Sequence, residues 1–177
     1  MNELITSDSS NIVILTGTIR SGKTTFLMNL LKSQNDCGGF LTPDINGKRH
    51  FFRLDNKECL PFELEAATDE NKVVLIGPYR FDKKIFELGN KLISNTHNIH
   101  EQLFVIDEVG KLELKGEGFD SGLKKLFSLH QQNREKKIIL IVRDYLVDEV
   151  IKRYNINADI IDISEKTKFL NKFRFTY

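Results

Sequence analysis

The chain has 177 residues, 40% of them hydrophobic, which suffices for one domain with its own core. Its 26 Lys and Arg nearly cancel 25 Asp and Glu, so no overall field draws it to nucleic acid or to an anionic membrane surface. No apolar run approaches the ~20 residues that span a bilayer, and Cys37 and Cys59 are too few and too far apart for a disulfide framework or a CxxC site.

Residues 1–10 are polar and acidic, which reads as a short flexible tail and not as a secretory leader. Residues 11–177 read as a single domain, and the reduced cysteines place it in the cytoplasm. The first strong element is Ile12-Val-Ile-Leu-Thr16, a β-branched run suited to a strand buried on both faces of a parallel sheet. Gly17, Gly22, Lys23 and Thr24 follow with the Walker A spacing G-x-x-x-x-G-K-[ST], and Phe26, Leu27, Leu30 and Leu31 continue at helical spacing to about Ser33. That order serves phosphate binding. A strand delivers a tight loop whose N–H groups wrap a phosphate chain, and the helix directs its positive end at the same anion. Gly17, Thr18, Ile19, Arg20, Ser21, Gly22, Lys23, Thr24 and Thr25 are therefore the candidate nucleotide-binding residues. Lys23 would reach the β- and γ-phosphates, and the Thr24 hydroxyl would face Mg²⁺.

Gly39 to Thr42 reads as a second strand ending at Pro43. His50 to Leu54 and Cys59 to Leu64 read as short antiparallel strands joined at Asp55-Asn56, so that about 44–64 forms a β-insertion beside the main sheet. Lys72 to Ile76 reads as another buried strand, stopped by Gly77-Pro78. Phe81, Ile85, Leu88 and Leu92 share one helical face, with Asp82 suited to the first turn. Strands at Leu103 to Ile106, Ile138 to Val142 and Ile160 to Ile163 alternate with helical stripes at Phe119 to Phe127 and Leu146 to Ile151, and a last short helix is expected over Glu165 to Phe173. This alternation is the pattern of βαβ units around a parallel sheet.

A phosphate loop needs an acidic partner at the C-terminal end of another buried strand. Leu103-Phe-Val-Ile-Asp-Glu108 supplies it. Asp107 is expected to emerge at the sheet edge and hold Mg²⁺, and Glu108 to orient and deprotonate the attacking water.

The run Asp107-Glu-Val-Gly-Lys-Leu-Glu-Leu114 resembles the extended Walker B signature of the THEP-type nucleoside triphosphatases, small P-loop enzymes that hydrolyse ATP, GTP and other nucleoside triphosphates. Gly38-Gly-Phe-Leu-Thr-Pro43, followed by Gly47-Lys48-Arg49 and then an aromatic, is similar to that family's segment after the first helix. Gly77, Tyr79, Asp82 and Phe86 resemble its third recurring block. The likeness runs in order from about Asn11 to Ile163. It implies an α/β, three-layer P-loop NTPase fold with a mostly parallel central sheet and the small antiparallel β-insertion, acting as a Mg²⁺-dependent nucleoside triphosphatase with loose base preference. Catalysis would rest on Lys23, Asp107 and Glu108, with Thr24 and Asp107 as metal ligands. Three positions depart from the family: Arg20 stands where Gly is usual in the phosphate loop, Leu41 where an aromatic is common, and Leu112 where Met is frequent.

An arginine often meets the charge that develops on a transferring phosphoryl group, and Arg20, Arg80 and Arg143 are the candidates. Arg143 is best placed, since strand C-terminal ends face the nucleotide in this architecture. Lys111 lies just past the acid pair, to touch phosphate or to pair with Glu113. His97 and His100 lack acidic or cysteine partners and read as solvated. Two other functions share the loop. A small-molecule or nucleotide kinase needs an acceptor pocket and an Arg-bearing lid, which is not apparent although residues 44–64 could line a second pocket. A nucleotide-dependent switch or partner-binding ATPase module needs no water-activating acid, and Glu108 speaks against it.

Overall fold

In the computed structural model, residues 10–65, 69–98, 100–130 and 136–173 are described, so the tail expected at 1–10 lies outside them except for Ser10. Ser10 is tied down: its Oγ donates to the Asn157 carbonyl at 2.7 Å and accepts from Ile12 N at 3.0 Å.

The chain begins with β1 (Ile12–Thr16), buried at all five positions, and α1 (Lys23–Leu31). Next come β2 (Cys37–Leu41) and three short strands, β3 (Asp44–Ile45), β4 (Lys48–Arg53) and β5 (Cys59–Pro61). A hairpin of β6 (Val73–Ile76) and β7 (Tyr79–Asp82) leads into α2 (Lys83–Ser94). Then follow β8 (Leu103–Val109), the single turn α3 (Lys111–Leu114), α4 (Asp120–His130) and β9 (Lys137–Val142). The last elements are α5 (Val147–Tyr154), β10 (Asp159–Asp162) and α6 (Lys166–Phe173).

Among the described residues the main sheet runs β10-β1-β9-β8-β2-β4-β3, with β5 on β4. The first five strands are mutually parallel, and β4 turns antiparallel to β2, β3 and β5. The expected insertion therefore extends the main sheet. Strand alternation splits the apolar residues between two cores. Ile12, Ile14, Phe104, Ile106, Ile138 and Leu140 face α2, α4 and α5, while Val13, Leu15, Val105, Ile139 and Ile141 face α1 and α6. The result is three layers, helices over both faces of a mostly parallel sheet.

Two local expectations are corrected. Val73–Ile76 is not a buried strand of the main sheet; it pairs only with β7 in a separate two-stranded sheet, and Leu75 is 64% exposed. Gly77-Pro78 is a hairpin turn here and not a strand stop. Phe81 belongs to β7, and Asp82 caps α2 by accepting from Lys84 N at 2.8 Å. A chain of rings fastens insertion and hairpin to the body: Phe40 stacks on Phe51 at 4.4 Å, Phe62 meets Phe81 at 4.8 Å and Phe86 at 5.0 Å, and Phe119 closes on Phe86 at 5.0 Å. No helix among the described residues is long and apolar enough to cross a membrane.

Candidate active site

The phosphate-loop motif lies between β1 and α1, and its glycines answer to geometry. Gly17 has φ 141°, and a Cβ there would sit 2.8 Å from the Ile163 side chain. Gly22, at φ 88°, turns the chain into α1, whose first hydrogen bond runs from Phe26 N to Gly22 O at 2.8 Å. Arg20 also lies in the left-handed region, at φ 60°. The backbone that glycine favours is thus retained at the position where this chain departs from the family pattern, at a cost on the order of 1 kcal/mol. Thr18, Ile19, Arg20 and Thr25 are exposed along the loop and first helical turn.

Lys23 is buried, and its ammonium donates to Gly17 O at 2.9 Å, Thr18 O at 2.8 Å and Ser21 Oγ at 3.2 Å. Burial pulls its pKa below the usual lysine value, and the carboxylates of Glu108 and Asp107 oppose that shift. Gly17 O also accepts from Asp144 N at 3.3 Å, which joins the loop to the segment after β9.

The acid pair arrives on β8, which continues through both carboxylates to Val109 instead of stopping at Ile106. From Ile106 to Val109 it takes three steps while β9 takes two, from Leu140 to Val142. This bulge re-aims the two acidic side chains. Asp107 was expected to emerge at the C-terminal edge of the sheet; it lies near that end of β8 but is only 1% exposed. Its Oδ2 accepts from the Thr24 hydroxyl at 2.8 Å and from Thr42 N at 2.9 Å. Burial, then the neighbouring Glu108 charge, push its pKa up to about 6.

Glu108 forms an ion pair with Arg143 from the end of β9. That hydrogen bond raises the guanidinium's already high pKa. Arg143 also reaches Tyr145 Oη at 3.4 Å, and the Lys111 ammonium lies 5.7 Å from the Tyr145 ring centre, a cation–π distance. Lys111 does not pair with Glu113. The Glu113 carboxylate turns inward and accepts from Gly110 N at 2.8 Å and Phe119 N at 3.0 Å, closing the loop that follows the acid pair. Burial pushes its pKa up to about 7. The sequence offers Glu113 only as a partner for Lys111, because nothing local marks a glutamate of the single turn α3 as buried. The nearest signal was Gly118, where a Cβ would stand 2.3 Å from Glu113 Oε1.

Thr24, Asp107, Lys23, Glu108 and Arg143 thus converge at the C-terminal ends of β1, β9 and β8. Arg20 sits on the exposed loop, and Arg80 belongs to β7. For a divalent cation, the hydroxyl of Thr24 and the carboxylate of Asp107 are adjacent hard oxygens, whereas no group of three His, Cys, Asp or Glu able to hold a metal occurs among the described residues. One carboxylate with a hydroxyl fits a hard divalent cation such as Mg²⁺, for which phosphate oxygens and water would supply the remaining ligands.

The family model described as NTPase matches residues 12–171. Nucleoside-triphosphatase THEP1 of Thermotoga sp. (strain RQ2) is 27% identical over 165 residues, covering 88% of either chain. The protein of the same name from Archaeoglobus fulgidus is 28% identical over 152 residues, or 77% of this chain and 89% of that one. Among solved structures, THEP1 from the hyperthermophile Aquifex aeolicus aligns with TM-score 0.66 at 18% identity, over 93% of this chain and 96% of that one. A human cancer-related nucleoside triphosphatase aligns with TM-score 0.60 at 21% identity, over 92% and 94%. These two share the fold. The match of the family model to residues 12–171, nearly the whole chain, places the protein in the NTPase family.

Proposed function

We propose that residues 11–177 act as one domain, a Mg²⁺-dependent nucleoside triphosphatase that converts ATP, GTP and other nucleoside triphosphates to diphosphate and phosphate in the cytoplasm. One observation carries the reading: Thr24 and Asp107, 83 residues apart, meet at 2.8 Å beside the Glu108–Arg143 pair. The family membership and the two free cysteines accord with it.

Backbone N–H groups from Gly17 to Thr25 and the N-terminal end of α1 bind the phosphate chain, and Lys23 adds a fixed positive charge. Thr24 and Asp107 are the residues that would hold Mg²⁺, which when bound neutralises phosphate charge and polarises the γ-phosphoryl group. Glu108 accepts a proton from water as the water oxygen bonds to the γ-phosphorus. The bond to the bridging oxygen breaks, and its electron pair leaves with the nucleoside diphosphate. Arg143 holds Glu108 before substrate arrives, and the γ-phosphoryl oxygens compete for the same guanidinium. That competition frees the carboxylate as base when there is a bond to break. Lys111, whose ammonium lies over the Tyr145 ring, would be a further cation for the phosphates.

The test is phosphate release from ATP, GTP, CTP and UTP with Mg²⁺, for wild type, Glu108→Gln and Lys23→Ala. Hydrolysis of several nucleotides, lost in Glu108→Gln while nucleotide still binds, is the expected result. Tight binding without release by the wild type would overturn the reading in favour of a phosphoryl acceptor or a switch.

A further inference from the structure

The β-insertion carries an arginine that no step above uses. Arg49, on β4, is half-buried and donates from Nη1 to the Thr42 carbonyl at 2.8 Å. Thr42 in turn gives its N–H to Asp107 Oδ2 at 2.9 Å. One residue of the β2–β3 turn is therefore held from both sides, by the insertion's guanidinium and by the buried carboxylate. Thr42 is 5% exposed, so neither contact is made at a solvated surface, where it would be worth little.

Arg49 is itself well anchored. Its N–H donates to Glu63 Oε2 at 3.2 Å, and its carbonyl accepts from Phe62 N at 3.1 Å and Glu63 N at 2.9 Å. Glu63 also bridges to Phe81 on the hairpin, where Phe62 and Phe81 pack ring on ring. The rigid fork of arginine suits a fixed carbonyl acceptor better than a mobile ammonium does. Of the other arginines considered, Arg143 is engaged by Glu108 and Arg20 lies on the exposed loop.

We infer that Arg49 is a positioning residue for the cation site: by clamping Thr42 it fixes the N–H that orients Asp107, and so makes the β-insertion a working part of the active site. The inference rests on the reading of Asp107 as a ligand of the divalent cation. Groups that orient metal ligands typically contribute 10–100-fold to metal affinity or activity.

The experiment measures Mn²⁺ affinity by electron paramagnetic resonance with a non-hydrolysable ATP analogue bound, together with the Mg²⁺ concentration for half-maximal phosphate release. The variants are Arg49→Ala, Arg49→Lys, Asp107→Asn and, as a control on the same strand, Lys48→Ala. Thermal unfolding of each variant reports folding. Arg49→Ala should weaken Mn²⁺ binding and raise the Mg²⁺ requirement by about 10–100-fold, with metal-free nucleotide affinity kept. Arg49→Lys, which retains one donor and the charge, should recover part of the loss, and Lys48→Ala should match wild type. If Arg49→Ala does not fold, Arg49→Lys decides through the same two readouts. A lowered melting temperature with unchanged cation dependence in a folded Arg49 variant would overturn the inference while leaving the parent reading intact. Unchanged cation dependence in Asp107→Asn would overturn both.

Discussion

The phosphate loop and the acid pair touch at Thr24 and Asp107, yet they are held together over different ranges of sequence. Lys23 finds its partners at Gly17, Thr18 and Ser21, none more than six residues away. The acid pair depends on Thr24, Thr42 and Arg143, which lie 83, 65 and 35 residues from the carboxylates they meet. The first half is a local motif that strand, loop and helix deliver as a unit. The second exists only when β2, β8 and β9 are in register. On the roles proposed above, binding is coded in one stretch and chemistry in the packing of the whole sheet.

The sharpest separation of the two halves comes from Lys23→Ala against Glu108→Gln. The lysine variant should lose nucleotide affinity itself. The glutamine variant should bind nucleotide as wild type does while kcat falls by about 10²–10⁴-fold, the usual contribution of a general base. Titration calorimetry and single-turnover phosphate release check this; equal loss of affinity in both would dissolve the distinction.

A change on β2, outside the phosphate loop, should damage only the long-range half. Gly39 has φ 91°, and a Cβ there would meet the Val105 carbonyl oxygen at 2.0 Å. Gly39→Ala forces β2 away from β8 and should cost roughly 3 kcal/mol from overpacking and backbone strain together, read as a lower urea midpoint. Fluorescent-nucleotide binding without metal should survive in the folded fraction, while phosphate release falls.

pH gives a subtler handle on the loop behind the acids. Glu113 rises from an ordinary 4.5 to about 7 in the folded protein. The native state therefore holds this proton more tightly than the unfolded chain does. The group's contribution is fully present below pH 4.5 and is lost as pH rises through 7. Asp107, raised to about 6, acts with the same sign. In Glu113→Gln the Glu113 share disappears, so its stability relative to wild type should change by on the order of 3 kcal/mol between pH 4.5 and 8. Urea titrations across that range measure it, and parallel curves for the two proteins would show that Glu113 does not titrate there.

The smallest expected effect lies in the local half. Arg20→Gly relieves a left-handed arginine and should change stability by no more than about 1 kcal/mol, because glycine also gains freedom in the unfolded chain. Its melting temperature and kcat should stay near wild type; a large loss of rate would make Arg20 part of the phosphate site itself.

This division explains what could be read from the chain alone. β1, β8 and β9 are runs of Ile, Val, Leu and Phe too apolar for a sheet with a wet face, and the phosphate loop has a fixed spacing. Val73–Ile76 has the same composition but sits in a hairpin, because composition records apolarity and not which surface covers it. The cue against a core strand was the two-residue turn Gly77-Pro78 followed directly by Tyr79 and Phe81. Asp107 was legible as an acid after a buried strand, but its enclosure by Thr24 and Thr42 is a tertiary fact. The pairing of Arg143 with Glu108 follows from β9 lying between β1 and β8, an order no local pattern encodes. Glu113 and Arg49 are ordinary charged residues until the loop and the insertion fold onto the sheet.

That strand order also governs when the molecule can begin to work as it is made. β1 pairs with β9 on one side and β10 on the other, and both begin at Lys137 or later. At the ~5–20 residues per second of ribosomal synthesis, β1 waits roughly 10 s for its first neighbour. During that interval five consecutive residues destined for full burial remain without a sheet, the kind of segment that holdase chaperones engage. The phosphate-loop motif is made long before β9 and β10, and it becomes an enzyme only when those two strands close around β1.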